Sequence, residues 1–327
     1  MPSIYTHYVF AKDVKEKLSK KLQDIINEKE NFYILFSQSF DNLYYYNFLS
    51  LNKGKHIRDL GTYCHKHKVN KYFMNIISYI KNNDLKADSE VLSYLFGSIN
   101  HYIADSMIHP YISYRTGRYS KSRKEETSKY KGIHTNTEIR IDAYYYNKET
   151  GKDYRKYKIY KELIPKLEYS KNLKNTIDHT FKETFNVDNM GKVFNKSYNQ
   201  SKNIYRVLMY DPTGIKLFAY KIVDKLTPFK DRVAASFSLH KEPMDEKFFN
   251  RKHNHWCNPM DMDLISDESW DDVYKKAVKK AVKLIEESYK CLQDKVKEEK
   301  LAKSLGNNSY TTGMDLKDKR VAKYYEF

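Results

Sequence analysis

Cysteine is scarce in this chain of 327 residues: Cys64, Cys257 and Cys291 are far apart and form no CxxC pair. That spacing speaks against a disulfide framework and against a thiolate zinc site. Glycine (10) and proline (7) are also few. No Gly/Ser/Pro-rich linker breaks the first 300 residues, so one continuous domain is expected. No apolar run approaches the roughly 20 residues of a membrane-spanning helix; the longest uncharged stretch is Val91–Ala104. Lys12, Asp13, Lys15, Glu16 and Lys17 interrupt any apolar core of a secretory signal. These absences predict a soluble, cytoplasmic protein. Acidic residues are outnumbered, leaving a net charge of +17. Such charge suits phosphate-rich partners or an anionic membrane surface. The basic residues are spread along the whole chain, whereas a nucleic-acid module concentrates them in one patch. A solvated surface therefore accounts for most of them.

What is present is helical periodicity. Val9, Val14, Leu18, Leu22, Ile25 and Ile26 form an apolar stripe at helix spacing, and Tyr72–Ile80 a shorter one. Ser89 to about His109 reads as a long buried helix, with Ser89 as N-cap and Pro110 just past its end. A polar, mobile loop over Arg115–Lys131 leads into a helix over His134–Tyr146. Further helices are expected over Tyr160–Phe185, Asp188–Tyr210, Ile215–Leu226 and Glu268–Lys295. No segment alternates over strand length, and no repeat of 20–50 residues occurs. The expected architecture is an all-α, single-domain bundle over residues 1–295, followed by a basic, mobile tail at 296–327.

Two of these helices carry side chains that apolar helices rarely hold. His101, Asp105 and His109 recur every four residues, and His134, Glu138 and Asp142 repeat that spacing. Residues four apart share one helix face, so imidazoles and carboxylates are stacked as Zn²⁺ prefers them. A single histidine on an apolar face is more often a hydrogen-bonded core residue than a ligand. Three such groups on the most apolar helix, with a His-x3-Glu pair 25 residues beyond, favour a metal. His65 and His67, in Cys64-His65-Lys66-His67, read as a surface loop. The tyrosines at 44–46 and 144–146 read as core aromatics with some capacity to line a cleft.

Taken in order, several segments resemble the zinc-dependent phospholipase C family, which shares its fold with the fungal single-strand-specific zinc nucleases. They are Thr6-His7-Tyr8-Val9-Phe10, Phe40-Asp41-Asn42-Leu43-Tyr44-Tyr45-Tyr46, Lys55-His56, the runs His101–His109 and His134–Asp142, and Asn254-His255-Trp256-Cys257-Asn258-Pro259 with Glu268-Ser269-Trp270-Asp271-Asp272. The last two are similar to the intracellular bacterial branch.

The resemblance implies two or three zinc ions. Asp41, His56, His101 and Asp105 would hold one, His109, His134 and Glu138 a second. His7 and the other oxygen of Asp105 would hold a third. In secreted relatives that third ion is completed by an N-terminal Trp. Here the residues are Met1-Pro2, and Pro2, freed of Met1, would stand five residues before His7.

The implied activity is a phosphodiester hydrolase of phospholipase C type, with Asp41 orienting or deprotonating the attacking water. Asp142 is expected to accept a hydrogen bond from a ligand imidazole. Two alternatives stand beside this: a single-strand nuclease or nucleotide phosphodiesterase on the same fold, and a non-catalytic zinc-stabilised binding module. Ser37-Gln38-Ser39, where relatives carry Gly and Pro, favours the second. The expected partners are a phospholipid or other phosphodiester, an anionic membrane surface at its periphery, and less readily nucleic acid.

Overall fold

The structure is a computed structural model that describes residues 4–50, 52–130, 132–226, 234–239, 241 and 243–326. Among these residues the chain is predominantly helical. In order come α1 (Ile4–Lys17), α2 (Lys20–Glu28), α3 (Glu30–Phe36), a 3₁₀ segment at Ser39–Tyr45, α4 (Lys55–Cys64), α5 (Val69–Asn82) and α6 (Ser89–Thr116). Then follow α7 (Lys124–Thr127), α8 (Ile133–Thr150), α9 (Ile159–Glu162), α10 (Lys171–Phe185), α11 (Met190–Ile204) and α12 (Ile215–Leu226). The last elements are a hairpin of β1 (Trp256–Asn258) and β2 (Asp261–Ser266), α13 (Trp270–Leu292) and α14 (Glu298–Leu305).

Helix α6 is the axis. Its 28 residues span about 42 Å at 1.5 Å each, and nearly all of them are buried. Helices α3 and α13 make its broadest contacts, and α1, α2, α8 and α10 also pack on it. Asp88, rather than the expected Ser89, caps it, its carboxylate accepting the amides of Glu90 and Val91 at 3.1 Å each. Gly97 permits the approach of α3: a Cβ there would lie 2.5 Å from the Tyr33 carbonyl oxygen.

Several boundaries differ from those expected. α6 runs through Pro110 to Thr116 instead of stopping before it. A proline inside a helix frees the carbonyl four residues back, here that of Ser106. Gly313 packs against that oxygen so closely that a Cβ would come within 2.5 Å. The helix expected over Tyr160–Phe185 is split by the extended chain after Pro165, and the one expected over Asp188–Tyr210 ends in a π turn, Tyr205–Met209. Arg115–Lys131 holds short helical turns between 121 and 130. The strands were not expected; three paired residues in β1 are too few to show alternation, and the hairpin is pinned by the Trp256 ring, edge-on to Tyr111 at 5.1 Å.

The segment beyond residue 295, expected as a mobile tail, is packed. Helix α14 buries Leu301 and Leu305, and Tyr310 is fully buried. The Tyr102 hydroxyl donates to Leu305 O at 3.0 Å and accepts the Asn308 amide at 3.1 Å. Composition alone hid these few anchors among lysines. Replacing Gly97 by Ala should lower unfolding stability by about 1–3 kcal/mol through overpacking against α3, read from urea denaturation followed by circular dichroism.

Candidate metal centre

Four elements bring ionisable groups to the middle of this apolar core. His7 comes from α1, Asp41 from the 3₁₀ segment, His101, Asp105 and His109 from α6, and His134 and Glu138 from α8. Their ligand-type atoms form two groups within 4.8 Å, His7–Asp41–His101–Asp105 and His109–His134–Glu138. All of these side chains are buried except His134, whose side chain is 23 % exposed and marks the solvent side. A cavity of about 30 Å³ touches both groups through His7, Asp105, His109 and Glu138. That is enough room for an ion or a water.

Asp105 faces two ways. Its Oδ1 is 3.3 Å from His7 Nε2, and its Oδ2 is 3.2 Å from His101 Nε2. His101 Nε2 also lies 3.3 Å from Asp41 Oδ2. In the other group both His109 Nε2 and His134 Nε2 lie 3.1 Å from Glu138 Oε1.

His56 takes no part. It is exposed on α4, and the expectation that it is a ligand is corrected. His65 stands in its place: buried, its Nε2 is 3.1 Å from Asp41 Oδ1 and 3.9 Å from Asp105 Oδ2. Nine residues separate the two histidines, which at 100° per residue puts them on opposite sides of the helix. The signal was legible in Ile57, Gly61, Cys64 and His65, spaced as one buried face of α4; the neighbouring Lys66 and His67 masked it. Pro2 lies outside the described residues.

Hydrogen bonds at the far ring nitrogens decide what the near ones offer. His65 Nδ1 is 2.6 Å from Gly61 O, and His109 Nδ1 is 3.0 Å from Tyr310 O. A carbonyl only accepts, so both Nδ1 atoms carry the proton. His134 Nδ1 is 3.1 Å from Thr116 Oγ1, whose own hydrogen is committed to the carbonyls of Ile112 or Gly117. His134 Nδ1 is therefore a donor as well. Each neutral imidazole then points a bare Nε2 lone pair at a carboxylate oxygen, acceptor against acceptor. Six buried polar atoms here lack a hydrogen bond: His7 Nδ1, Asp41 Oδ2, both nitrogens of His101, Asp105 Oδ2 and Glu138 Oε2. A buried group left so is expensive. Cations resolve both problems at once, and the N/O donor set with fixed outer hydrogen bonds is what zinc takes.

Without a cation, the imidazoles must carry the charge. Burial pushes the Asp41 carboxyl up, but His101 and His65 outweigh it and hold it well below the usual range. Burial likewise raises Glu138, yet His134 and His109 bring it down to about 2. His101 is lowered by burial and raised more by Asp105 and Asp41, ending at about 9.

Asp142 does not accept from an imidazole. Its carboxylate accepts the amides of Tyr5 at 3.0 Å and Thr6 at 2.6 Å, the Thr6 hydroxyl at 2.6 Å and the Tyr154 hydroxyl at 2.9 Å. It thus caps the first turn of α1 and sets the position of His7 from α8. Tyr310, unread in the sequence, walls the other side. Its ring meets those of His65 and His101 edge-on at 5.1 Å, its amide donates to His65 O at 3.0 Å, and its carbonyl holds His109.

A family described as zinc dependent phospholipase C matches residues 6–190, more than half of the chain. The chain belongs to the zinc-dependent phospholipase C family. No curated protein and no solved structure matches. All members of both groups, and His65, fall within the matched region, while Tyr310 lies beyond it. Its membership makes the bundle a zinc phospholipase C-type all-α fold, suited to zinc and to phospholipid-type substrates.

His65→Ala should lower bound zinc by about one ion per chain, while His56→Ala leaves it unchanged, as metal analysis of the purified proteins would read. In chelated protein, the raised His101 contributes stability that is full below its ordinary 6.5 and lost as pH rises toward about 9. The depressed Glu138 contributes stability above its ordinary 4.5 that is lost as pH falls toward about 2. Melting temperature should therefore fall on both sides of a maximum between roughly pH 4.5 and 6.5, and zinc binding near pH 7 should release protons, measurable by calorimetry in buffers of different ionisation enthalpy.

Proposed function

We propose that this chain is a zinc-dependent phosphodiester hydrolase of phospholipase C type, acting on a phospholipid-like substrate. The observation that carries the proposal is Asp105 turning one oxygen to His7 and the other to His101, between two ligand groups that share a cavity. Asp41, His65, His101 and Asp105 would hold one zinc ion, and His109, His134 and Glu138 a second. His7 with Asp105 Oδ1 would contribute to a third. When bound, zinc polarises phosphoryl oxygens, offsets charge built up in the transition state and makes water acidic enough to attack near neutral pH.

The protein's own residues supply the rest. Asp41 is held ionised by His101 and His65, so its role is to orient the attacking water by accepting a hydrogen bond, more than to take up its proton. Substrate reaches the cluster over partly exposed His134, since the other ligand side chains are closed to solvent. Arg118, whose Nη1 donates to Thr311 O at 3.3 Å, interacts electrostatically with Tyr44 and Glu138 and offers a fixed cation to a phosphate there. Trp270 and the ring of Phe10 keep the inner side of the cavity apolar. A cytoplasmic location is part of the proposal and is supported by three cysteines that are all unpaired, two of them buried.

Two experiments test this. Phosphatidylcholine in mixed micelles and single-stranded DNA, assayed side by side, should give phosphocholine release without DNA cleavage. DNA cleavage alone would support the nuclease alternative, and bound zinc without turnover of either would support the non-catalytic one. Asp105→Asn should remove more zinc than Glu138→Gln, because it weakens two sites; equal loss would rule out the bridging role.

A further inference from the structure

Helix α12 presents an apolar face to solvent. Ile215, Phe218 and Leu226 are 69 %, 67 % and 81 % exposed, and Ile222 and Val223 are also exposed. At 100° per residue these five, with Ala219, fall in an arc of about 140°. Lys221 and Lys225 flank the arc on one side and Lys216 on the other. The opposite face is tied down. Asp224 is buried and accepts the amides of Ala234 and Ala235 at 2.8 and 2.9 Å. The Tyr220 hydroxyl donates to Leu208 O at 3.0 Å, and Lys216 Nζ donates to the carbonyls of Val207 and Tyr210 at 2.7 Å. The helix is held rigidly with its oily side outward, which water alone does not favour.

The apolar surface continues past the helix. Val207 (60 % exposed) and Leu49 (81 %) line an adjoining groove of about 590 Å³ together with Phe48 and Leu208, and Lys53 and Lys196 are also in its wall. Tyr45, at the back of this groove, shares its 3₁₀ segment with Asp41 of the metal centre. No helix among the described residues is long and apolar enough to cross a membrane.

We propose that α12, with Val207 and Leu49, is an interfacial docking element that lays its apolar face into an anionic phospholipid surface. Charge complementarity selects this occupant. Lys221 and Lys225 border the apolar face on one flank, Lys53 and Lys196 stand at the groove, and the chain carries +17 overall. That is the pattern of a helix lying in the headgroup plane, its apolar side chains in the acyl boundary and its lysines on anionic headgroups. A second copy of so basic a chain would bring like charges together at the same rim. The proposal rests on the phospholipase function for the reason the protein meets a bilayer, but docking is measured independently of hydrolysis.

The test is co-sedimentation of the zinc-loaded protein with vesicles of phosphatidylcholine, with and without phosphatidylglycerol. Wild-type protein should bind the mixed vesicles, less at high salt. The double variant Phe218→Asp/Leu226→Asp should lose at least about tenfold in partitioning, as expected for two side chains no longer buried in the acyl boundary. Lys221→Glu/Lys225→Glu should lose binding to the mixed vesicles in the same direction. Both variants should keep wild-type zinc content and wild-type hydrolysis of a water-soluble nitrophenyl phosphodiester. Wild-type sedimentation of the Phe218/Leu226 variant would overturn the proposal, as would a wild-type dimer in light scattering that this variant disperses without any vesicle binding. Absence of hydrolysis in all proteins, with vesicle binding lost only in the variants, would remove the phospholipase function and leave the docking element standing.

Discussion

Carboxylates and imidazoles buried together in an apolar core are the constraint around which this molecule is arranged. Asp41, Asp105 and Glu138 are each almost fully buried, and each would be strongly disfavoured there alone. Five imidazoles surround them, and at least three of these are fixed with the proton on the far nitrogen. The near lone pairs then confront carboxylate oxygens. Such a core is frustrated without cations and coherent with them, so folding and metal binding are parts of one equilibrium.

That constraint explains features that would otherwise be incidental. α6 runs unbroken through Pro110, and the carbonyl this frees, that of Ser106, packs closely under Gly313. The same C-terminal segment delivers Tyr310, whose backbone holds His109 and His65 and whose ring lies against His101. Asp142 on α8 fixes the start of α1 and so the approach of His7. Support for the candidate ligands thus comes from both ends of the chain, and part of it lies outside residues 6–190 that carry the family pattern. A metal centre assembled this way draws its rigidity from long-range contacts more than from its own helices.

The two faces of the protein complement each other. The centre is closed by aromatic and aliphatic side chains except near His134, whereas α12 shows its apolar side to solvent between lysines. Both arrangements suit a protein whose reactant sits at an interface, with chemistry sequestered from water and contact made by a basic, oily surface.

Periodicity in the sequence was enough for the helical class, for α12 to the residue, and for the two ligand helices, because a four-residue spacing of histidines and carboxylates on an apolar stripe survives without knowledge of any partner. It also sufficed for His101, Asp105, His109, His134 and Glu138, while His7 and Asp41 came only from the family resemblance; the structure brings all seven into two neighbouring groups. What it could not supply were choices made between distant segments. The rotation of α4 put His65 inside and His56 outside; the spacing of Ile57, Gly61 and Cys64 carried that signal, but the basic residues around both histidines masked it. Asp142 meets the amides of Tyr5 and Thr6, more than 130 residues away, and Tyr310 meets His109 from 201 residues away. A helix repeat states which residues share a face; which face turns inward, and which remote group completes it, is decided only when the elements pack.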